Sequence, residues 1–198
     1  MVLVVLVAIV AVLYLLAIMP RMWHRPDRRP FQGVLYAHRG LHDNEGEAPE
    51  NSMKAFCRAV EAGYGIELDV QLSKDKVPVV FHDFTLERAC GVEGKVCNYT
   101  YEELRKLRLF HSQERIPSFE EFLKMVGGRV PLIVEYKVEW TDVMVCPLAD
   151  RLLQKYKGVY CIESFNPLAL LWYRKHRNGI MRGQLSDAFL QEEGLKGL

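Results

Sequence analysis

Charged and imidazole side chains recur in this chain where short apolar runs end. His38-Arg39 closes a run at 34–38, Glu67 and Asp69 lie within 66–70, His82-Asp83 ends 77–82, and Glu135 and Lys137 flank Tyr136 at the end of 132–136. A fifth run reaches Glu163-Ser164. Strand side chains alternate faces, so residues two apart point the same way. Glu67 and Asp69 therefore share one face with Leu68 opposite, and Glu135 and Lys137 share another with Tyr136 opposite. In a parallel α/β barrel such strand ends converge on one mouth. Three carboxylates meeting there repel one another unless neutralised. A hard divalent cation with oxygen ligands resolves that repulsion, and Mg²⁺ or Ca²⁺ fits the ligand type. Each piece taken alone is an ordinary wet strand face or a packed histidine. Successive strands ending in charge on an apolar background are harder to explain structurally, because buried charges are paired or bound to metal.

The elements that must position these groups follow from periodicity. Strands are expected at 34–38, 66–70, 77–82, 132–136, 159–163 and 180–185, and helices at 52–62, 101–108, 119–125, 143–156 and 168–176. Thr100 with Glu103 and Ser118 with Glu121 each form the S/T-x-x-E helix start. Strand alternating with helix implies an α/β domain with a largely parallel sheet. The link at 71–76 is too short for the crossover helix that parallel neighbours need. It is either a bare loop or the turn of a hairpin.

The chain has 198 residues, a formal charge of +1 and 49% hydrophobic residues. That length suits one domain with a real core. The balanced charge gives no nucleic-acid footprint, which would need a basic face. Five cysteines without CxxC spacing read as scattered reduced thiols. Residues 2–19 are uncharged and apolar. No basic residue precedes them, and Ile18-Met19-Pro20 is a poor cleavage site, so they read as one transmembrane anchor and not a signal peptide. Arg21, Arg25, Arg28 and Arg29 follow, which sets the expected orientation as single-pass with the catalytic domain on the cytoplasmic side and Trp23 at the interface. Residues 20–32 read as a basic, Pro-rich linker and 33–198 as the folded domain.

In order and spacing the motifs resemble those of the glycerophosphodiester phosphodiesterases, and with the anchor they resemble the membrane-anchored bacterial type. The resemblance runs from Val34 to Leu185. It rests on Ala37-His38-Arg39-Gly40, Pro49-Glu50-Asn51-Ser52, Ile66-Glu67-Leu68-Asp69-Val70, Phe81-His82-Asp83 followed by Thr85-Leu86-Glu87-Arg88, Ile116-Pro117-Ser118-Phe119-Glu120-Glu121, Val134-Glu135-Tyr136-Lys137 and Ile162-Glu163-Ser164-Phe165. It implies a TIM-type (β/α) barrel, here truncated after about six strands. It implies one divalent metal on Glu67, Asp69 and Glu135, catalytic histidines at His38 and His82, phosphate binding by Arg39 and Lys137, and a site-lining acid at Glu50. The implied reaction is metal-dependent hydrolysis of a glycerophosphodiester to an alcohol and glycerol 3-phosphate, with His38 as base and His82 as acid. The attacking group is water or the substrate's own glycerol hydroxyl. The expected partners are that small-molecule substrate and, through residues 2–19, a lipid bilayer, with no nucleic acid. Two other readings stay open: a lysophospholipase D-type phosphodiesterase, and a non-catalytic truncated domain tethered to a membrane.

Overall fold

The computed structural model describes residues 2–18 and 25–187. Six strands form one sheet: β1 (Tyr36–His38), β2 (Gly65–Leu72), β3 (Pro78–Val80), β4 (Leu132–Tyr136), β5 (Tyr160–Ser164) and β6 (Arg182–Gln184). Five of them run parallel in the order β1-β2-β4-β5-β6. β3 instead pairs antiparallel with the far end of β2, with Val70 opposite Val80. The short 71–76 link is thus a hairpin turn. Among the described residues the sheet does not close on itself, and β1 and β6 each pair on one side only.

The helices α2 (Met53–Glu61), α5 (Phe119–Val126), α6 (Val145–Leu153) and α7 (Pro167–His176) pack on the outer face of this sheet, α3 (Glu87–Cys90) and α4 (Tyr101–Leu104) belong to the excursion between β3 and α5, and the N-terminal helix (Val2–Ile18) precedes them as α1. Both capping boxes form: Thr100 and Ser118 accept from the backbone N–H of Glu103 and Glu121, whose carboxylates take the cap N–H in return. Ile66, Leu68, Val70, Leu132, Val134, Tyr136 and Ile162 face the helices and are buried in the main core. The rings of Phe56 on α2 and Phe122 on α5 meet edge to face at 4.6 Å. That apolar outer row forces the alternate residues of the same strands inward. A second, smaller core of Val79, Phe81, Leu86, Val96, Leu104, Leu109 and Ile116 lies under the long excursion between β3 and α5.

The expected membrane anchor is corrected by the structure. Helix α1 covers 17 residues, Val2–Ile18. At about 1.5 Å per residue it reaches roughly 26 Å, short of a hydrocarbon core of roughly 30 Å. Among the described residues no helix is long and apolar enough to cross a membrane. The transmembrane helix, the single-pass localisation with its cytoplasmic side, and the bilayer as a partner fall together. The expectations for Arg21 and Trp23 lie outside the described residues.

The turn after β1 is backbone-limited. Arg39 has φ +55° and Gly40 φ +85°. A Cβ on Gly40 would stand 2.9 Å from the Ala55 carbonyl carbon and 2.9 Å from its Cβ. Gly40 lets the strand end turn against the start of α2, which is what aims His38 and Arg39. Gly40→Ala should therefore cost roughly 1–3 kcal/mol in denaturant unfolding, through left-handed strain plus overpacking. A change under about 0.3 kcal/mol would show that this approach is not tight.

Candidate active site

Parallel register assembles the inward row. Asp69 pairs with Glu135, Glu135 with Glu163, and His38 with Glu67. Glu67, Asp69 and Glu135 each offer a carboxylate oxygen, and these oxygens lie within 4.8 Å of one another, all buried. Burial first, then Asp69 and Glu135, push the Glu67 carboxyl up, against a hydrogen bond from the Arg39 N–H. Burial also raises Glu135, against the neighbouring Lys137 ammonium. Glu163 is pushed up to about 7 by burial and by Glu135 and Asp69.

Cations and amides surround the row. Lys137 Nζ donates to Glu135 Oε1 at 2.9 Å and lies 3.6 Å from Asp69 Oδ1. Arg39 Nε lies 3.4 Å from Asp69 Oδ2, while its backbone N–H donates to Glu67 Oε2 at 3.0 Å. Asn51 Nδ2 donates to Asp69 Oδ2 at 2.9 Å. Asp69 Oδ1 remains buried without a hydrogen-bond partner. An all-oxygen donor set with a raised carboxyl and an unpartnered buried oxygen fits a hard divalent cation.

The two histidines differ in setting. His38 Nε2 lies 3.8 Å from Glu67 Oε2, and its side chain is 67% exposed at the mouth. Desolvation and then the Arg39 charge hold its pKa below the usual imidazole value, with His42 and His82 adding to the effect and Asp69 opposing it. His82 arrives from the antiparallel β3. The Phe81 N–H donates to the Asp69 carbonyl at 3.0 Å, so the hairpin brings the chain back to the level of the carboxylates. His82 Nδ1 lies 2.6 Å from Asp83 Oδ1.

Among the expected site residues, Arg39 and Lys137 contact the carboxylate row, His38 lies beside Glu67, and His82 lies beside Asp83. Glu50 sits behind Arg39, with Oε1 taking Arg39 Nη1 at 3.1 Å and Arg88 Nη2 at 2.5 Å, and Oε2 taking Asn44 Nδ2 at 3.0 Å. Sequence reasoning gave no role to Asn51, Gln71, Asp83, Arg88 or Glu163. Asn51, Asp83, Arg88 and Glu163 lie inside or beside the quoted motifs, and an acid directly following a histidine was the available signal for Asp83. Gln71 carries no such signal, since its partners are backbone carbonyls.

A largely parallel α/β sheet thus presents inward carboxylates, two histidines and two cations at the ends of its strands. Residues 38–191 match the model of the glycerophosphoryl diester phosphodiesterase family, and the chain belongs to that family. It is 34% identical over 171 residues to a glycerophosphodiester phosphodiesterase of Caldanaerobacter subterraneus, covering 80% of this chain and 69% of that one. It is 40% identical over 112 residues to one from Bacillus altitudinis, covering 53% and 44%. The chain thus spans between under half and about two thirds of these relatives. Among solved structures, an Oleispira antarctica phosphodiesterase in complex with the product sn-glycerol-3-phosphate superposes with a TM-score of 0.72 at 27% identity, covering 84% of this chain and 71% of that one. The Thermotoga maritima glycerophosphodiester phosphodiesterase superposes at 0.61 with 30% identity, covering 79% and 63%.

The Glu50 cluster makes stability pH-dependent. Burial would raise the Glu50 carboxyl, but hydrogen bonds from Arg88 and Asn44 and the charges of Arg88 and Arg39 hold it at about 2, against 4.5 ordinarily. A depressed folded-state pKa stabilises fully above the unfolded value and is lost as pH falls toward the folded one. Between pH 4.5 and 2 the protein should lose on the order of 1–2 kcal/mol from this group, after allowance for solvent screening. Denaturant titrations of Glu50→Gln should show a flatter profile across that window, and parallel profiles for the two proteins would refute the linkage.

Proposed function

We propose that this site hydrolyses glycerophosphodiesters to an alcohol and glycerol 3-phosphate. The observation that carries the reading is the juxtaposition of Arg39, Lys137, His38 and His82 around the Glu67–Asp69–Glu135 cluster. Glu67, Asp69 and Glu135 would hold one divalent ion, Mg²⁺ or Ca²⁺. When bound, such an ion supplies Lewis-acid polarisation of a phosphoryl oxygen.

The chain's own residues do the rest. Arg39 offers a planar fork of donors to the phosphate and Lys137 a compact charge. Both already face carboxylates, so they are pre-positioned for an anion that approaches the same cluster. His38 takes the proton from the attacking hydroxyl, whether water or the substrate's glycerol hydroxyl. Its lowered pKa keeps it neutral and able to accept at neutral pH. His82 donates from Nε2 to the departing alkoxide, which is otherwise a poor leaving group. Glu50 contributes by holding Arg39 in place. The lysophospholipase D reading rested on a bilayer anchor, and among the described residues no helix is long and apolar enough to provide one.

Glycerol 3-phosphate release from glycerophosphocholine is the direct test. Chelation by EDTA should abolish release, and Mg²⁺ or Ca²⁺ should restore it. His38→Ala should reduce turnover roughly 10²–10⁴-fold. Undiminished release after chelation would sink the metal-dependent reading, and undiminished release from His38→Ala would sink the assignment of that base. Divalent ion should also raise the thermal midpoint of the wild-type protein and not that of an Asp69→Asn variant, since binding to the folded state alone stabilises it.

A further inference from the structure

The charged groups behind the histidines form one connected chain. Asp83 Oδ1 faces His82 Nδ1 at 2.6 Å. Arg88 Nε donates to Asp83 Oδ2 at 2.6 Å and its Nη2 to Oδ1 at 3.0 Å, a two-point clamp. The same Nη2 reaches Glu50 Oε1 at 2.5 Å, and that oxygen also accepts from Arg39 Nη1 at 3.1 Å. Asn44 holds the other Glu50 oxygen. Arg88 is itself seated over the Phe110 ring, 5.3 Å from its centroid. One arginine on the short helix α3 therefore connects the setting of His82 to the setting of Arg39.

The backbone under His82 is fixed independently. Gln71 on β2 is buried, and its Nε2 donates to the carbonyls of Phe81 at 2.8 Å and Asp83 at 2.7 Å, the residues on either side of His82. With the backbone clamped by Gln71 and Nδ1 occupied by Asp83, only Nε2 is left to face a substrate. A carboxylate at Nδ1 fixes the ring orientation and leaves Nε2 as the atom that meets a substrate.

We infer that Asp83 and Arg88 are positioning residues for the reaction: Asp83 orients His82 as proton donor, and Arg88 braces Asp83 while steadying Arg39 through Glu50. In the step concerned the attacking oxygen, its proton taken by His38, bonds to phosphorus while the P–O bond to the alcohol breaks and its electron pair stays on the alcohol oxygen. The Nε2 proton moves to that oxygen, and the Nδ1–H stays on the ring, hydrogen-bonded to Asp83. The inference rests on the phosphodiesterase reading above.

The two roles separate by leaving group. Choline leaves as a basic alkoxide that needs a proton, whereas p-nitrophenolate leaves without one. Against glycerophosphocholine, Asp83→Asn should lower kcat at least tenfold with KM within about twofold. Against the p-nitrophenyl ester of glycerol 3-phosphate it should stay within about threefold of wild type, the pattern expected of His82→Ala. Arg88→Gln should show a smaller loss of the same kind, together with a raised KM for both esters, because Arg39 loses its support. Without any turnover, proton NMR should show a downfield His82 Nδ1–H in the wild type that disappears in Asp83→Asn, with thermal unfolding verifying that each variant is folded at the assay temperature.

Equal losses on both esters, in Asp83→Asn or in His82→Ala, overturn the inference, as does an unchanged KM in Arg88→Gln or a persisting Nδ1 proton in Asp83→Asn. A wild-type protein that turns over neither ester brings down the phosphodiesterase reading and this inference with it.

Discussion

Asp69 and Glu135 stand side by side on β2 and β4, with Glu67 one inward step below and Glu163 one strand further on. Burial strips these carboxylates of water, and their mutual repulsion pushes Glu67, Glu135 and Glu163 toward protonation. The groups nearby can be understood as responses to that concentration of negative charge. Lys137 and Arg39 approach it as cations, and Asn51 and the Arg39 backbone N–H as donors. Like charges stripped of water in this way are relieved by cations and donors brought close to them. The feature that strains the folded state is thus the one that makes the mouth chemically useful.

The sheet bears this arrangement because its two faces do different work. The outer face is continuous apolar packing against α2, α5, α6 and α7, with Ile66, Leu68, Val134 and Ile162 fully buried. The inner face can then carry acids without loss of the core. The strain extends to the backbone: Arg39 and Asn51 are both non-glycine residues with positive φ, at +55° and +56°. Each conformation costs on the order of 1 kcal/mol or more. Each aims a donor at the carboxylate row, so surrounding packing holds what local preference would not.

His82 reaches the same mouth by a different route. A parallel strand end delivers His38, but the 71–76 hairpin sends β3 back antiparallel along β2. The excursion that follows then builds its own core of Phe81, Leu86, Val96, Leu104 and Ile116. That second core fixes α3, and so Arg88, with respect to β2. The pairing of His82 with Asp83 and of Arg88 with both acids depends on this local packing and on Gln71. Family membership and the superposition on the Oleispira phosphodiesterase agree on the fold that carries these residues.

Much of this was legible before any coordinates. Alternation along a strand is a local property, so the shared faces of Glu67 with Asp69 and of Glu135 with Lys137 could be read directly, as could all six strands and the two capping boxes. The length of α1 was less accessible: an apolar run marks a hydrophobic segment, but only the extent of the helix shows that 17 residues fall short of a span. The direction of β3 was equally hidden, because a six-residue link permits a loop or a hairpin and pairing chooses between them. Glu50 was legible as an acid of the motif, but its contacts with Arg39 and Arg88 were not. Sequence alone determined which chemical groups the strand ends present, since that depends on residue type and a period of two. Tertiary structure alone decided which groups touch, because the contacts among Glu50, Arg88, Asp83 and His82 join residues up to 38 positions apart and depend on how a hairpin and a second core fold over the first.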